Sequence, residues 1–265
     1  MEIRQKNSVP WSYHVSRNNM FQAHVHHQFG RNVAVGTTYV PIADLGLYRT
    51  PQPAAATQLR IKAGGNAADT ANGSGARSVK LWGLNASGDE VTEVIATAGA
   101  SASAATTNSF IRLYLAEVYE SGTYGTQSVG SHVGNITIER ATGGQDWAQI
   151  QLNGFPSSTT GIGSITVPRN HVGLLASIRI SPEQSGNTTS DILILKREGI
   201  LQATAPYKPV MKVQEFVQVT QTITLDFEMP IKFPELTDIG VLAKVSNGIG
   251  AVSVDMEILM LEAET

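Results

Sequence analysis

Three histidines within four positions form the densest group of side chains that could bind a metal. They are His24, His26 and His27, and His14 precedes them. In an extended chain His24 and His26 lie on one face, where two imidazoles can share a metal ion. A polar segment rich in hydrogen-bonding groups has the same composition, and no Asp or Glu lies near the run. Both interpretations stay open, and we predict neither a metal ligand nor a cofactor.

Two groups of acidic residues are the next candidates for chemistry. Asp89, Glu90 and Glu93 form one group, and Glu117 and Glu120 form the other. A glycosidase needs two carboxylates about 5–10 Å apart in a cleft, which sequence spacing alone cannot establish. Their position on strand ends and strand faces favours solvent exposure, so we predict no catalytic residue among them.

Other catalytic patterns are missing from the sequence. It has no cysteine and no Gly-x-Ser-x-Gly motif. The glycine-rich run at residues 73–76 lacks the following Lys and Ser or Thr of a phosphate loop, so it predicts a turn. Aromatic side chains such as Trp82, Trp147, Tyr114 and Tyr119 could supply a sugar-binding platform. We therefore predict that the protein is not an enzyme, with glycan binding or a glycan-active enzyme as alternatives.

Composition limits the partners. The chain has 265 residues, 15% of them charged, and a formal net charge of −3. It has no run rich in Lys or Arg, so we predict neither nucleic-acid binding nor attraction to an anionic membrane. No apolar stretch is long enough to span a bilayer, and the first residues lack the apolar core of a signal peptide. We expect a protein made in soluble form in the cytosol.

The elements that must position these groups are β-strands. Alternation of polar and apolar residues predicts strands, and turn residues separate them. No segment carries a convincing helical pattern, so the fold class is predicted to be all-β, with two antiparallel β-sandwich, jelly-roll-like domains. The predicted strands cover residues 57–62, 78–84, 90–96, 110–119, 135–139, 148–152, 161–168, 172–182, 191–197, 213–219, 221–230, 238–245 and 251–261.

The chain is predicted to divide into three parts. Residues 1–30 show no regular period and form an extended N-terminal arm. Residues 31–142 form a β-sandwich domain, and residues 143–265 form a second, jelly-roll-like one. The arm must bury its apolar side chains on its own domain, on a neighbouring copy or on another partner. Its predicted partner-binding residues are Trp11, Tyr13, Met20, Phe21 and Phe29.

Two stretches resemble virion structural proteins of tailed bacteriophages, many from aquatic hosts. Residues 59–93 read LRIKAGGNAADTANGSGARSVKLWGLNASGDEVTE, and residues 229–246 read MPIKFPELTDIGVLAKVS. The sequence departs from the family pattern at Asn85, where Asp is usual, and at Leu242, where a basic residue is usual. The resemblance extends over roughly residues 30–262 and leaves the arm outside. Within the first stretch, Arg77 is predicted to pair with Asp69 and fix a loop.

The resemblance implies a component of the virion, assembled in the host cytoplasm, and carries no catalytic residue to this chain. The expected role is a capsid decoration or cement protein that binds the lattice of the major capsid protein. Because such proteins sit on local symmetry axes, a homotrimer is expected. The alternative is a tail adaptor, or a virion protein that anchors a fibre or binds a host glycan.

Overall fold

The computed structural model describes residues 23–44, 55–125, 131–152, 158–183, 188–202 and 204–263. Every regular element in these ranges is a β-strand, as predicted, and none of the described residues form a helix able to cross a membrane. The strands are β1 Ala23–Val35, β2 Val40–Pro41, β3 Leu59–Ile61, β4 Ala76–Asn85, β5 Glu90–Ala96, β6 Phe110–Ser121, β7 Ile136–Arg140, β8 Asp146–Ile150, β9 Ser164–Thr166, β10 His171–Glu183, β11 Ser190–Arg197, β12 Met211–Val219, β13 Ile223–Phe233, β14 Asp238–Val245 and β15 Gly250–Glu262.

Each predicted strand overlaps a strand of the structure, and β1 and β2 are additional. The predicted end of the arm at residue 30 lies inside β1, which pairs with β15 from Ala23 to Val35. Alternation fails to reveal β1 because polar side chains, Gln28 and Asn32, occupy its buried positions. The amide of Gln28 donates to the carbonyl groups of Tyr114 and Ile162, so its burial leaves no donor unpaired.

The larger unit is built from two antiparallel sheets. Sheet I has the order β1-β15-β10-β13. Sheet II has the order β12-β11-β14, and both β2 and β9 pair with β14. Apolar side chains at alternate positions of both sheets, such as Ile178, Ile194, Val241 and Met256, form one buried cluster. Two antiparallel sheets around one core are compatible with a jelly-roll-like β-sandwich.

The smaller unit packs two three-stranded sheets, β5-β4-β6 and β3-β7-β8, around a second cluster. Leu81, Leu113, Ile138 and Trp147 lie in that cluster and are almost fully buried. The predicted boundary between residues 142 and 143 falls in the turn between β7 and β8, which pair with each other. Glycines 143 and 144 have positive φ angles, so this run forms a hairpin turn.

The two units are joined by packing as well as by the chain. Leu84, Ile111 and Tyr114 belong to strands of the smaller unit, yet their side chains lie in the core cluster of the larger one. The β4–β5 turn also contacts the larger unit, because the backbone N–H of Arg169 donates to the carbonyl of Gly88 at 2.8 Å. The units therefore share apolar surface and backbone hydrogen bonds.

Candidate functional site

His24 and His26 of β1 have separate partners, and His27 is exposed. The ring of His24 meets the ring of His171 edge-on, with 6.0 Å between centroids. His26 Nε2 lies 3.0 Å from Gln28 Oε1, and its ring contacts the Tyr114 ring edge-on at 5.5 Å. Burial lowers the pKa of His26, so the neutral ring donates this bond through Nε2. Within the described residues, no three His, Cys, Asp or Glu side chains converge as a metal site.

The acidic groups serve as local hydrogen-bond acceptors. The Glu93 carboxylate accepts the backbone N–H groups of residues 107 and 108 at 2.6 and 2.9 Å. Glu117 accepts the indole N–H of Trp82 at 3.3 Å, and Glu120 accepts the hydroxyl of Ser78 at 2.9 Å. Each carboxylate therefore holds a neighbouring strand or loop in place.

The aromatic residues considered for sugar binding do not share one surface. Trp147 lies in the core of the smaller unit, and Tyr114 is buried in the larger cluster. Trp82 is half-buried under the ammonium group of Lys80, which lies 3.9 Å from the ring centroid. Tyr119 is exposed beside the same lysine, 5.6 Å away. Lys80 thus occupies the space between the two accessible rings.

The first family-like stretch is organised by a buried carboxylate. Asp69 Oδ1 accepts the backbone N–H groups of Ala76 at 2.8 Å and Val133 at 3.0 Å. The predicted Asp69–Arg77 pair is wrong, because the Arg77 side chain is exposed and its Nε donates to the carbonyl of Gly73 at 3.0 Å. Backbone amides from two loops satisfy the aspartate, so the stretch stabilises structure.

The second family-like stretch carries a buried ion pair between the units. Arg112 on β6 donates to both carboxylate oxygens of Asp238 on β14, each at 2.8 Å. Both side chains are only 1% exposed. The Thr166 hydroxyl donates a third bond to Asp238 at 2.6 Å. The sequence predicts Asp238 at a strand start but does not reveal its role, because the partner lies 126 positions away.

The predicted partner-binding residues fall mostly outside the described ranges. Trp11, Tyr13, Met20 and Phe21 lie there, and their role stays a prediction. Phe29 lies on β1 opposite Asp255 of β15, with its side chain 38% exposed on the solvent side of sheet I. The structure therefore gives a position to one of the five.

The most exposed pair of strands is β12 with β13, which we call the open edge. β12 pairs with β11 at one border of sheet II, and β13 pairs with β10 at one border of sheet I. Of their 9 and 11 residues, only Val219 and Phe233 are buried. β12 and β13 follow each other in the chain. Each therefore forms one border of a sheet, and few other residues pack over either strand.

Apolar side chains concentrate along the open edge. Half-buried groups on β12 and β13 point toward the larger core: Val213, Phe216, Ile223, Leu225, Phe227 and Ile231. Large hydrophobic side chains that are half or more exposed occur on these strands and just before them: Tyr207, Val210, Met211, Val217 and Met229. Accumulations of exposed apolar groups occur at protein–protein, membrane and ligand-binding surfaces, so the open edge is a candidate binding surface.

The backbone of the open edge disfavours continuous pairing with an added strand. In the β10–β13 ladder, the four residues 227–230 of β13 lie opposite the single residue Ala176, which makes a large irregular bulge. Pro230 lies in that bulge and has no N–H to donate. A shallow, open depression lined by residues 216–223 lies at the turn between the strands. The bulge and Pro230 therefore interrupt the regular backbone along this part of β13.

No protein-family model and no curated protein matches this chain. Among solved structures, a subviral particle of infectious bursal disease virus VP2 aligns at 8% identity, covering 97% of this chain and 83% of that one, with a TM-score of 0.18. T=1 particles derived from the same virus align at 9% identity, covering 92% and 75%, with a TM-score of 0.22. TM-scores this low indicate neither a shared fold nor a shared function.

Proposed function

We propose that this chain is a structural component of a bacteriophage virion, acting as a capsid decoration or cement protein that binds the major capsid protein. The open edge carries the proposal. A sandwich that leaves two consecutive strands almost uncovered, with apolar groups such as Val217 and Met229 exposed, gains stability when a neighbouring protein covers them. A protein that works by covering a lattice needs such a surface.

The two family-like stretches support the same role. Their buried acids, Asp69 and Asp238, hold a loop and the joint between the units in place. A structural subunit of a particle must be rigid, and these internal hydrogen bonds and ion pairs make the chain rigid. A homotrimer fits a position on a local symmetry axis, and each copy would offer one open edge.

Localisation in the particle tests the proposal. Gold-labelled antibody against the purified chain should decorate the heads of intact virions of a phage whose genome encodes this chain. Label confined to the tail would replace the capsid role with the alternative, a tail adaptor or fibre anchor. Virions without label would refute a virion role altogether. Equilibrium sedimentation of the purified protein should give the mass of a trimer, and a monomer at all concentrations would refute that state.

A matched pair of variants tests the open edge itself. Val217 on β12 is 62% exposed and Val94 on β5 is 46% exposed, so Glu fits at either site without entering a core. Val217→Glu should weaken binding to capsids by roughly tenfold or more, because the interface would bury an unpaired carboxylate. Val94→Glu should bind as the unchanged protein does. Equal effects of the two substitutions would exclude the open edge as the contact surface.

A further inference from the structure

The outer face of the sheet β3-β7-β8 carries a row of polar side chains. Lys62 directly follows β3, and its backbone N–H donates to the carbonyl of Thr137 on β7 at 2.9 Å. Thr137 in turn lies opposite Gln149 of β8. Because the neighbouring residues Ile61 and Ile138 are buried in the core of the smaller unit, the side chains of this row point away from that core.

The row lines a half-open cleft, which we call the polar cleft. Residues 62–65 form one wall of it, and Asn135, Thr137, Asp146 and Gln149 form the rest. None of these lining residues is aromatic, and none has a large apolar side chain. A ligand in the polar cleft must therefore be held by hydrogen bonds rather than by burial of apolar surface.

The charges in and beside the polar cleft are paired. Lys62 Nζ lies 2.8 and 3.0 Å from the two carboxylate oxygens of Asp146. In the next row, Arg60 Nε lies 2.7 Å from Glu139 Oε1. These pairs leave no uncompensated charge for an ionic ligand. The Lys62–Asp146 pair, with side chains 43% and 30% exposed, still offers N–H donors and carboxylate acceptors side by side.

The fold leaves the amide of Gln149 incompletely hydrogen-bonded. Its side chain is only 9% exposed, and Nε2 donates to Thr137 Oγ1 at 2.9 Å. Within the described part of the chain no donor reaches Oε1, which is buried as well. Turning the amide over would leave the NH₂ group in the same position. An unpaired buried amide is costly, so Gln149 marks a place where a group from outside the chain completes the hydrogen bonding.

We propose that the polar cleft binds an uncharged saccharide. A sugar hydroxyl both donates and accepts, so two neighbouring hydroxyls match the Lys62 ammonium and the Asp146 carboxylate. Another hydroxyl donates to Gln149 Oε1 when the amide rotates toward the ligand. Asn135, whose Oδ1 accepts the backbone N–H of Leu152 at 2.8 Å, directs its NH₂ group to the rim. The proposal does not depend on the virion role, because the polar cleft belongs to the smaller unit and the open edge to the larger one.

Amide NMR spectra of the full chain test the proposal, with the methyl glycosides of glucose, galactose and mannose as probes. At least one glycoside should shift the signals of residues 62–65 and of the Gln149 side chain, with a dissociation constant on the order of millimolar. Such shifts indicate a unit of a longer glycan, whereas shifts caused only by the free sugars indicate a free sugar as the ligand. Shifts caused by inorganic phosphate and by no sugar would overturn the proposal.

Variants of the lining residues locate the site. Gln149→Met and Asp146→Asn should each weaken sugar binding by about tenfold or more. Gln149→Met should also raise the melting temperature, because it removes the unpaired buried amide. Asp89→Asn, at the exposed ion pair with Arg169 on the β4–β5 turn, is the matched control and should bind as the unchanged chain does. A lower melting temperature with unchanged binding in Gln149→Met would overturn the proposal and leave the amide a structural role only, and so would spectra that no sugar changes.

Discussion

Replacing Arg112 with methionine should strongly destabilise the protein. The substitution keeps most of the side-chain volume but leaves the Asp238 carboxylate, 1% exposed, without its counter-charge. Removing one partner of a buried ion pair usually costs about 3–5 kcal/mol, because the remaining charge is stranded away from water. Thr166 still donates one hydrogen bond to Asp238, so we expect the lower part of that range, about 3 kcal/mol.

The double substitution Arg112→Met/Asp238→Leu distinguishes a stranded charge from lost packing. With both charges removed, the site becomes apolar and adjoins the larger core cluster. Replacing a whole buried pair with apolar groups is often close to neutral, so the double variant should recover about 2 kcal/mol relative to Arg112→Met. The recovery measures the coupling between the two side chains.

Urea denaturation followed by tryptophan fluorescence is the assay. Trp147 reports on the core of the smaller unit, and Trp82 packs against the core of the larger one. Because the ion pair joins the units, Arg112→Met should also broaden the transition or split it in two. The exposed pair Lys62–Asp146, with side chains 43% and 30% exposed, gives the control. Asp146→Asn should cost less than about 1 kcal/mol.

Two results would refute the reasoning about this ion pair. A loss below about 1 kcal/mol for Arg112→Met would mean that water or another group replaces the guanidinium without cost. A double variant no more stable than the single one would mean that packing, rather than charge, makes the site sensitive. Either result would mean that the buried charge of Asp238 is not what the second family-like stretch contributes to the stability of the protein.

Two further predictions concern single residues. Burial raises the pKa of Asp44 to about 6 although the Gly161 N–H donates to its carboxylate, so the folded state binds the proton more tightly than the unfolded state. Stability should then fall as pH rises from about 4 to 6. Asp44→Asn should abolish this dependence of stability on pH and raise the free energy of unfolding at pH 7 by at most about 3 kcal/mol. Urea titrations at several pH values measure both effects, and an unchanged pH dependence would contradict the raised pKa of Asp44. Gly75→Ala should lower the melting temperature, because an added Cβ would lie 2.1 Å from Asp69 Oδ1, and an unaltered melting curve would contradict the tight loop.

The sequence predicts the strands well because alternation is a local property. Every segment with a clear period of two overlaps a strand of the structure. β1 was not predicted because its buried polar side chains form hydrogen bonds with residues far away in the sequence. Gln28, for example, donates to the carbonyls of Tyr114 and Ile162. A local pattern cannot show that a buried amide will find such acceptors.

The open edge could not be predicted from the same pattern. β13 alternates like any half-buried strand, since one of its faces meets the core whether or not another strand lies beside it. What exposes β12 and β13 is the order of strands in the sheets, and pairing partners far apart in sequence determine that order. The ion pair of Arg112 and Asp238 escaped prediction for the same reason.

The contacts between the two units determine whether docking through the open edge of the larger unit also fixes the orientation of the smaller unit. Arg169 of the larger unit donates from its side chain to the carbonyl of Ser87 at 2.6 Å and from its backbone to Gly88. A Cβ at Gly88 would lie 2.3 Å from the Leu236 side chain, so the β4–β5 turn fits closely against the larger unit. If the larger unit docks through the open edge, the smaller unit should project at one fixed angle. Cryo-electron microscopy of decorated capsids should then show both units at equal local resolution, and a blurred smaller unit would contradict a rigid joint.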